Sequence, residues 1–247
     1  MEDAAFVLDV AKACIAGKLK NTRYVLLRGA RDADADADAQ ALRETADSIA
    51  YSLRSLAHAP DLDTVRGLEG EAARRYFAAF RYLIRPDQRE AFIPDGRSRR
   101  PPRDRMNALL SFLYSLTMND CRSAIESVGL DPQLGCLHAV RPGRAALALD
   151  LMEEFRPLFA DRMALTLVNR GQLRAKDLDL RPGGAVMLHD DARKTLLVAY
   201  QERKQEQVEH PLLAQKLMLG LVPQIQARLL ARHIRGEAEG YLPYLVR

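Results

Sequence analysis

Three stretches far apart in the chain carry side chains suited to gripping a hard divalent cation: Glu69 in GLEGEAARRYF, His138 in GCLHAVRPG, and the acidic run in ALDLMEEFRP. A cation that activates a hydroxyl and stabilises a phosphoryl transition state needs a few oxygen and imidazole ligands converging from different elements. Gly67 and Gly70 flank Glu69 and leave room for a backbone or a phosphate to approach; two glycines in a helical start cost stability and so invite a reason. The apolar lead-in to His138 predicts a half-buried, oriented ring. Asp150 and Glu153 stand at i and i+3 on one helix face, with Leu149, Met152 and Phe155 on the next stripe. Asp150 with Glu154 at i+4 is an equally good pair, and periodicity does not choose between Glu153 and Glu154. Taken singly, an acidic pair is more often a solvated face than a metal site, and like charges repel unless a cation compensates them.

The elements that must position these groups read as helices. Apolar spacing through Phe6, Val7, Val10 and Ile15, then Tyr24, Leu26 and Leu27, predicts two helices near the start, and another runs from about Ala41 to Leu56. Pro60 to Thr64 supplies turn and cap chemistry for the helix carrying Glu69. The stretch from Ile93 to Arg105 has Pro94, Gly96, Pro101 and Pro102 among five arginines and reads as a mobile basic loop. A long helix from Asp104 to Val128 closes at Gly129. One helix from about Ala145 to Leu158 carries the acidic pair, and another follows to Gly171. Residues 177–180 and 185–188 alternate around Arg181-Pro182-Gly183-Gly184 and predict one small β-hairpin. Asp190 or Asp191 caps a helix to about Val208, and Pro211 to Ile234 reads as a last long helix kinked at Pro223. The fold class is therefore mainly α: a single large helical domain over residues 1–247 with one small β-hairpin.

Composition narrows the class. Of 247 residues, 48% are apolar but only 6% aromatic, with no Trp, so the core is built from Leu, Ala, Val, Ile and Met, which favours packed helices. The net charge of +4 makes any nucleic-acid surface a local patch rather than a global field. Cys14, Cys121 and Cys136 show neither disulfide nor zinc-like spacing and read as buried thiols. No apolar run reaches a membrane span and the start lacks a signal-peptide flank, which predicts a soluble cytoplasmic protein. RDADADADAQ resembles a calcium loop but has Ala37 where the loop needs Gly and Arg43 where it needs Glu, so it reads as a solvated loop and cap. His189-Asp190 resembles the dipeptide of helical phosphohydrolases, but a helix cap explains it better.

The blocks GLEGEAARRYF, RPPRDRMNALLSFLYS, GLDPQLGCLHAVRPGR and LALDLMEEFRP, in that order, resemble the signature blocks of the CRISPR adaptation integrase, and LVNRGQL, GGAVMLHDDARKTLLVAYQERK and HPLLAQKLMLGLVPQIQARLLARHIRG resemble its subtype I-C branch. The resemblance implies a helical catalytic domain in which Glu69, His138 and Glu153 bind manganese or magnesium, with Asp150 as an additional acidic group and Glu71 facing solvent. It implies a metal-dependent DNA endonuclease and integrase that inserts spacer DNA into a repeat array by transesterification. The implied partners are prespacer and repeat DNA, a small second adaptation protein, and a second copy of the chain in a homodimer. Arg97, Arg99, Arg100, Arg103 and Arg105, with Arg74, Arg75, Arg141 and Arg144 beside the metal blocks, would contact phosphates without reading sequence. Tyr76 is placed in the core rather than against a base. Members of the family begin with a β-rich N-terminal domain, and this chain starts where the helical domain would. The alternative reading is a DNA-binding or assembly module without turnover.

Overall fold

In a computed structural model, which describes residues 3–246, Asp3 starts the first helix by accepting the backbone amides of Ala5 and Phe6. No proline interrupts the chain before Asp32, so the two helices expected there are one, α1 (Ala4–Asp32), roughly 43 Å long at 1.5 Å per residue. Helix α2 (Asp36–Ala57) begins inside the Asp-Ala run, with Asp36 and Asp38 in its first turn, where the helix dipole favours negative charge. That places most of the expected loop within a helix. Asp61 caps α3 (Leu62–Ala79) through Thr64 N at 2.8 Å, and α4 (Pro86–Phe92) follows.

Residues 93–104 have no regular structure, as their prolines demand, but they are tied down. Arg97 donates to Asn107 Oδ1 at 2.6 Å, and Asn107 Nδ2 donates to Gly96 O at 2.9 Å. Asp104 then caps α5 (Arg105–Ser127), which closes at Gly129 with φ +78°. The helix expected from Ala145 to Leu158 stops early: α6 (Ala146–Met152) gives way to a turn through residues 153–155. A wider i→i+5 helical stretch (Arg156–Asp161) follows, and then α7 (Arg162–Asn169). Pro157 lacks the amide that a regular helix would use and so suits the head of the wide stretch.

The predicted hairpin is present as β1 (Leu178–Leu180) against β2 (Val186–Leu188), and α8 (Asp190–Gln205) follows. The last segment corrects the expectation. Instead of one kinked helix from Pro211 to Ile234, it forms a second antiparallel hairpin, β3 (Gln207–His210) with β4 (Gln215–Met218), and then α9 (Val222–Ile234). Pro211 disfavours a helical residue before it, and Pro223 sits in the first turn of α9, where its missing amide is harmless.

α1 packs on α2, α3 and the wide turn, whereas α5 packs on α6, α9 and that same turn. The segment 146–161 is thus wedged between the two longest helices. Phe155 and Phe159, edge to face at 5.6 Å and inaccessible to water, anchor it. Among the described residues no helix is long and apolar enough to cross a membrane.

Candidate metal centre

The anchored segment buries five charged side chains, Asp150, Glu153, Glu154, Arg156 and Asp161. Charges removed from water must be paired or bind something, and the partners of each give it a separate task. Asp150, on α6, accepts the backbone amides of Cys136, Leu137 and His138 at 2.5, 3.0 and 3.0 Å, which fixes the loop carrying His138. It also holds His138 Nδ1 at 2.6 Å. With a carboxylate accepting there, Nδ1 carries the proton and Nε2 keeps its lone pair, the arrangement by which an outer carboxylate orients a metal-binding imidazole. Nε2 stands 3.8 Å from Glu153 Oε1.

Glu153 leaves the end of α6 into a cluster of cations. Arg156 lies 3.0 Å from its Oε1 and Lys18, from α1, 2.8 Å from its Oε2. Burial would raise its pKa, but the charges of Arg156 and Lys18 outweigh that and hold it down at about 2. Glu153 Oε2 is buried without an aligned hydrogen bond, and the Lys18 ammonium meets its charge. The same Lys18 ammonium is ion-paired to Glu69 on α3. One turn earlier on α3, Arg66 donates through two nitrogens to Leu137 O at 3.2 and 2.8 Å, tying the helix of Glu69 to the loop of His138.

Glu69, His138 and Glu153 line one cavity of about 340 Å³, with Arg66 and Arg144 at its edge. Among the described residues no three metal-ligating side chains already stand at ligating separation; Lys18 occupies the space between the two carboxylates. Two carboxylates, one of them with a buried oxygen that has no aligned hydrogen bond, and an oriented imidazole nitrogen form a donor set that fits a hard divalent cation. Glu154 takes no part in this cavity: it accepts Tyr241 Oη–H and the Tyr244 amide, both at 2.6 Å, and burial lifts its pKa to about 8 against those bonds. Of the two glutamates that periodicity leaves open, Glu153 lines the cavity and Glu154 faces the C-terminal segment. Gly67 and Gly70 face open space, with no backbone approaching.

A second cavity, about 580 Å³, shares Glu69 with the first, is lined by Lys18 as well, and extends past Arg74, Arg97, Arg99 and Arg156. Arg97 and Arg156 lie over the Tyr114 ring, 5.0 and 4.9 Å from its centroid, and the Tyr114 hydroxyl donates to Asp161 at 2.6 Å. Tyr76 is a core residue as expected, 4% exposed, but its hydroxyl is buried without a hydrogen-bond partner, as are Arg97 Nε and Arg156 Nε. Other predicted phosphate contacts have structural employment. Arg75 ties α3 to Ser48 on α2 and pairs with Glu71 on its own helix, so Glu71 is an ion-pair partner rather than a free solvated group. Arg105 donates to Ala175 O and Ala91 O at 3.1 and 3.3 Å. Arg100, Arg103 and Arg141 are exposed and line neither cavity. His189 pairs with Asp179 across the first hairpin at 2.7 Å, away from the cluster.

Sequence reasoning misses Lys18, Arg66 and Arg156. For Lys18 the signal is available: it continues the stripe of Cys14, Asn21 and Val25, all buried, and a lysine on a buried stripe needs an anion. Arg66 and Arg156 give no such signal, because their partners come from loops and turns.

The matching family model is described as CRISPR associated protein Cas1 and covers residues 1–202. The CRISPR-associated endonuclease Cas1 1 of Moorella thermoacetica is 58% identical over 247 residues, all of this chain and 72% of that protein. Among solved structures, a chain of a partial Cas6-RT-Cas1–Cas2 complex matches with a TM-score of 0.82 and 25% identity, covering 100% of this chain and 71% of that one. A casposase bound to integration product shares the fold (TM-score 0.82, 24% identity, covering 98% of this chain and 64% of that one).

Proposed function

The chain belongs to the CRISPR-associated Cas1 family, and from that premise we propose that it is a metal-dependent DNA endonuclease and integrase, joining spacer DNA into a CRISPR repeat array by transesterification. The observation that carries this reading is the convergence of Glu69, His138 and Glu153, from three distant segments, on one cavity bordered by arginines. These three would hold manganese or magnesium. When bound, the cation supplies Lewis acidity, polarising the scissile phosphodiester and favouring ionisation of the attacking DNA 3′-hydroxyl.

The chain's own residues prepare that site. Asp150 sets the tautomer of His138 and its loop, and Arg156 keeps Glu153 anionic and in place. Arg66 fixes α3 to the His138 loop. Arg74, Arg97 and Arg99 line the adjoining cavity, where they would neutralise and align backbone phosphates; such contacts position a strand without reading it. The partner supported by the matched complex is Cas2, and the subtype I-C assignment rests on the blocks between LVNRGQL and ARHIRG.

The test is incubation with a short DNA duplex and a supercoiled repeat-bearing plasmid, with manganese or with chelator. Manganese-dependent nicking or joining is expected, lost in Glu153→Gln and His138→Ala while DNA retention persists. Retention by the wild-type chain without any cutting or joining would instead identify a DNA-binding module.

A further inference from the structure

Lys18 holds an unusual place. Its side chain is 12% exposed, rises from the middle of α1, and puts one ammonium between two carboxylates that arrive from different elements, Glu69 of α3 and Glu153 at the end of α6. Resting on the metal reading above, we propose that Lys18 is a built-in counter-cation: its ammonium keeps the space between Glu69 and Glu153 until a divalent cation enters, and is then released into the adjoining cavity, where a phosphodiester receives it.

Charge balance carries the argument. In the structure Glu69 and Glu153 are offset by Lys18 and Arg156, so the four groups sum to zero. A divalent ion bound between the carboxylates with Lys18 still present would leave two uncompensated positive charges in a poorly solvated site, and like charges there repel strongly. Departure of Lys18 removes one of them. A single phosphodiester in the larger cavity neutralises the released ammonium, and the one positive charge that remains is that of Arg156, which lines the same cavity. Lys18 lines that cavity already, beside Arg74, Arg97 and Arg156, and a lysine has the flexible stem and point charge to swing between the two positions. Arg156 cannot trade places so readily, because its guanidinium is stacked on Tyr114.

The consequence is reciprocal coupling. Metal is bound weakly until DNA supplies the phosphate that accepts Lys18, and DNA binding in turn strengthens metal binding by the same factor. An ordinary structural ion pair would show the opposite response to loss of Lys18, since two repelling carboxylates would splay and hold metal less well.

The test is Mn2+ titration of the whole chain, followed by the electron paramagnetic resonance of the free ion, with and without a short DNA duplex. It compares the wild type with Lys18→Met, Lys18→Arg and Glu153→Gln, each checked for cooperative melting; Lys18→Gln replaces the Met variant if that one fails to fold. Without DNA, Lys18→Met is expected to bind Mn2+ about tenfold more tightly than wild type, and Lys18→Arg no more tightly than wild type. DNA is expected to tighten wild-type Mn2+ binding at least about fivefold and to leave Lys18→Met little changed. Equal or weaker Mn2+ binding by both neutral variants overturns the counter-cation while leaving the metal site standing, as does tight binding by Lys18→Arg. Wild-type affinity in Glu153→Gln overturns the metal site itself, and this inference with it.

Discussion

Both oxygens of Asp150 are engaged, by three backbone amides and the imidazole of His138, with no accessible surface left. The residue therefore acts through His138 rather than as a free ligand. Asp150→Asn is expected to weaken Mn2+ binding roughly ten- to a hundred-fold, the usual cost of losing an outer-sphere partner, as read by Mn2+ titration. Asp161 makes a prediction about pH. Burial, opposed by hydrogen bonding from Tyr114 and the charges of Arg156 and Arg97, still lifts its carboxyl from 3.8 to about 6. The folded state thus favours the protonated form, a stabilisation fully present below about pH 3.8 and lost as pH rises through about 6. Asp161→Asn keeps an acceptor for the Tyr114 hydroxyl and should remove this dependence, relieving on the order of 3 kcal/mol above pH 7. Melting curves from pH 4 to 8 should fall less steeply for the variant than for wild type; parallel curves would show that Asp161 is not the titrating group.

At the scale of elements, the C-terminal segment secures the turn that presents Glu153. The Tyr241 hydroxyl and the Tyr244 amide bond the Glu154 carboxyl group, and Asn21 on α1 ties the Glu154 carbonyl to the Tyr244 carbonyl at 2.8 Å each. Gly17 makes room for this clasp: a Cβ there would lie 2.6 Å from Pro243 Cβ and 3.0 Å from Glu154 Cβ. Gly17→Ala should gain up to about 1 kcal/mol of helix propensity, yet overpacking against a rigid proline ring costs about 1–3 kcal/mol. Net destabilisation in urea is expected, and a stabilised variant would contradict the close approach. Tyr241→Phe should cost about 1–3 kcal/mol by the same measurement, since it strips a buried carboxyl group of its hydroxyl partner. These relations also mark what the sequence conceals. Asp61, Asp104 and Gly129 announce helix ends locally, and each does so in the structure. The split of the expected Ala145–Leu158 helix depends on contacts with α1, α5 and the distant C-terminal segment, and the hairpin around Pro211 is held by His210 against Gln226 and Tyr244; no window of sequence contains those contacts.

Across the whole molecule a net charge of +4 conceals a strongly uneven distribution. Arginines gather around the larger cavity, while Arg75 and Arg105, equally prominent in sequence, are absorbed by the scaffold. The sequence therefore shows which segments carry the site, through Glu69, His138 and the Asp150–Glu153 run, but not which arginines face it, because side-chain direction follows from packing. Arg99→Ala should weaken DNA binding similarly for all sequences and lower the salt slope by about one, whereas Arg75→Ala should leave that slope unchanged; equal slopes in a salt titration of the two variants would refute this division. The central claim is that folding brings Glu69, His138 and Glu153 around one cation. Its most direct measurement is anomalous diffraction from crystals soaked in manganese. The account predicts the strongest peak between those three side chains, with Lys18 turned away; a peak elsewhere, with Lys18 still bridging the carboxylates, would contradict it.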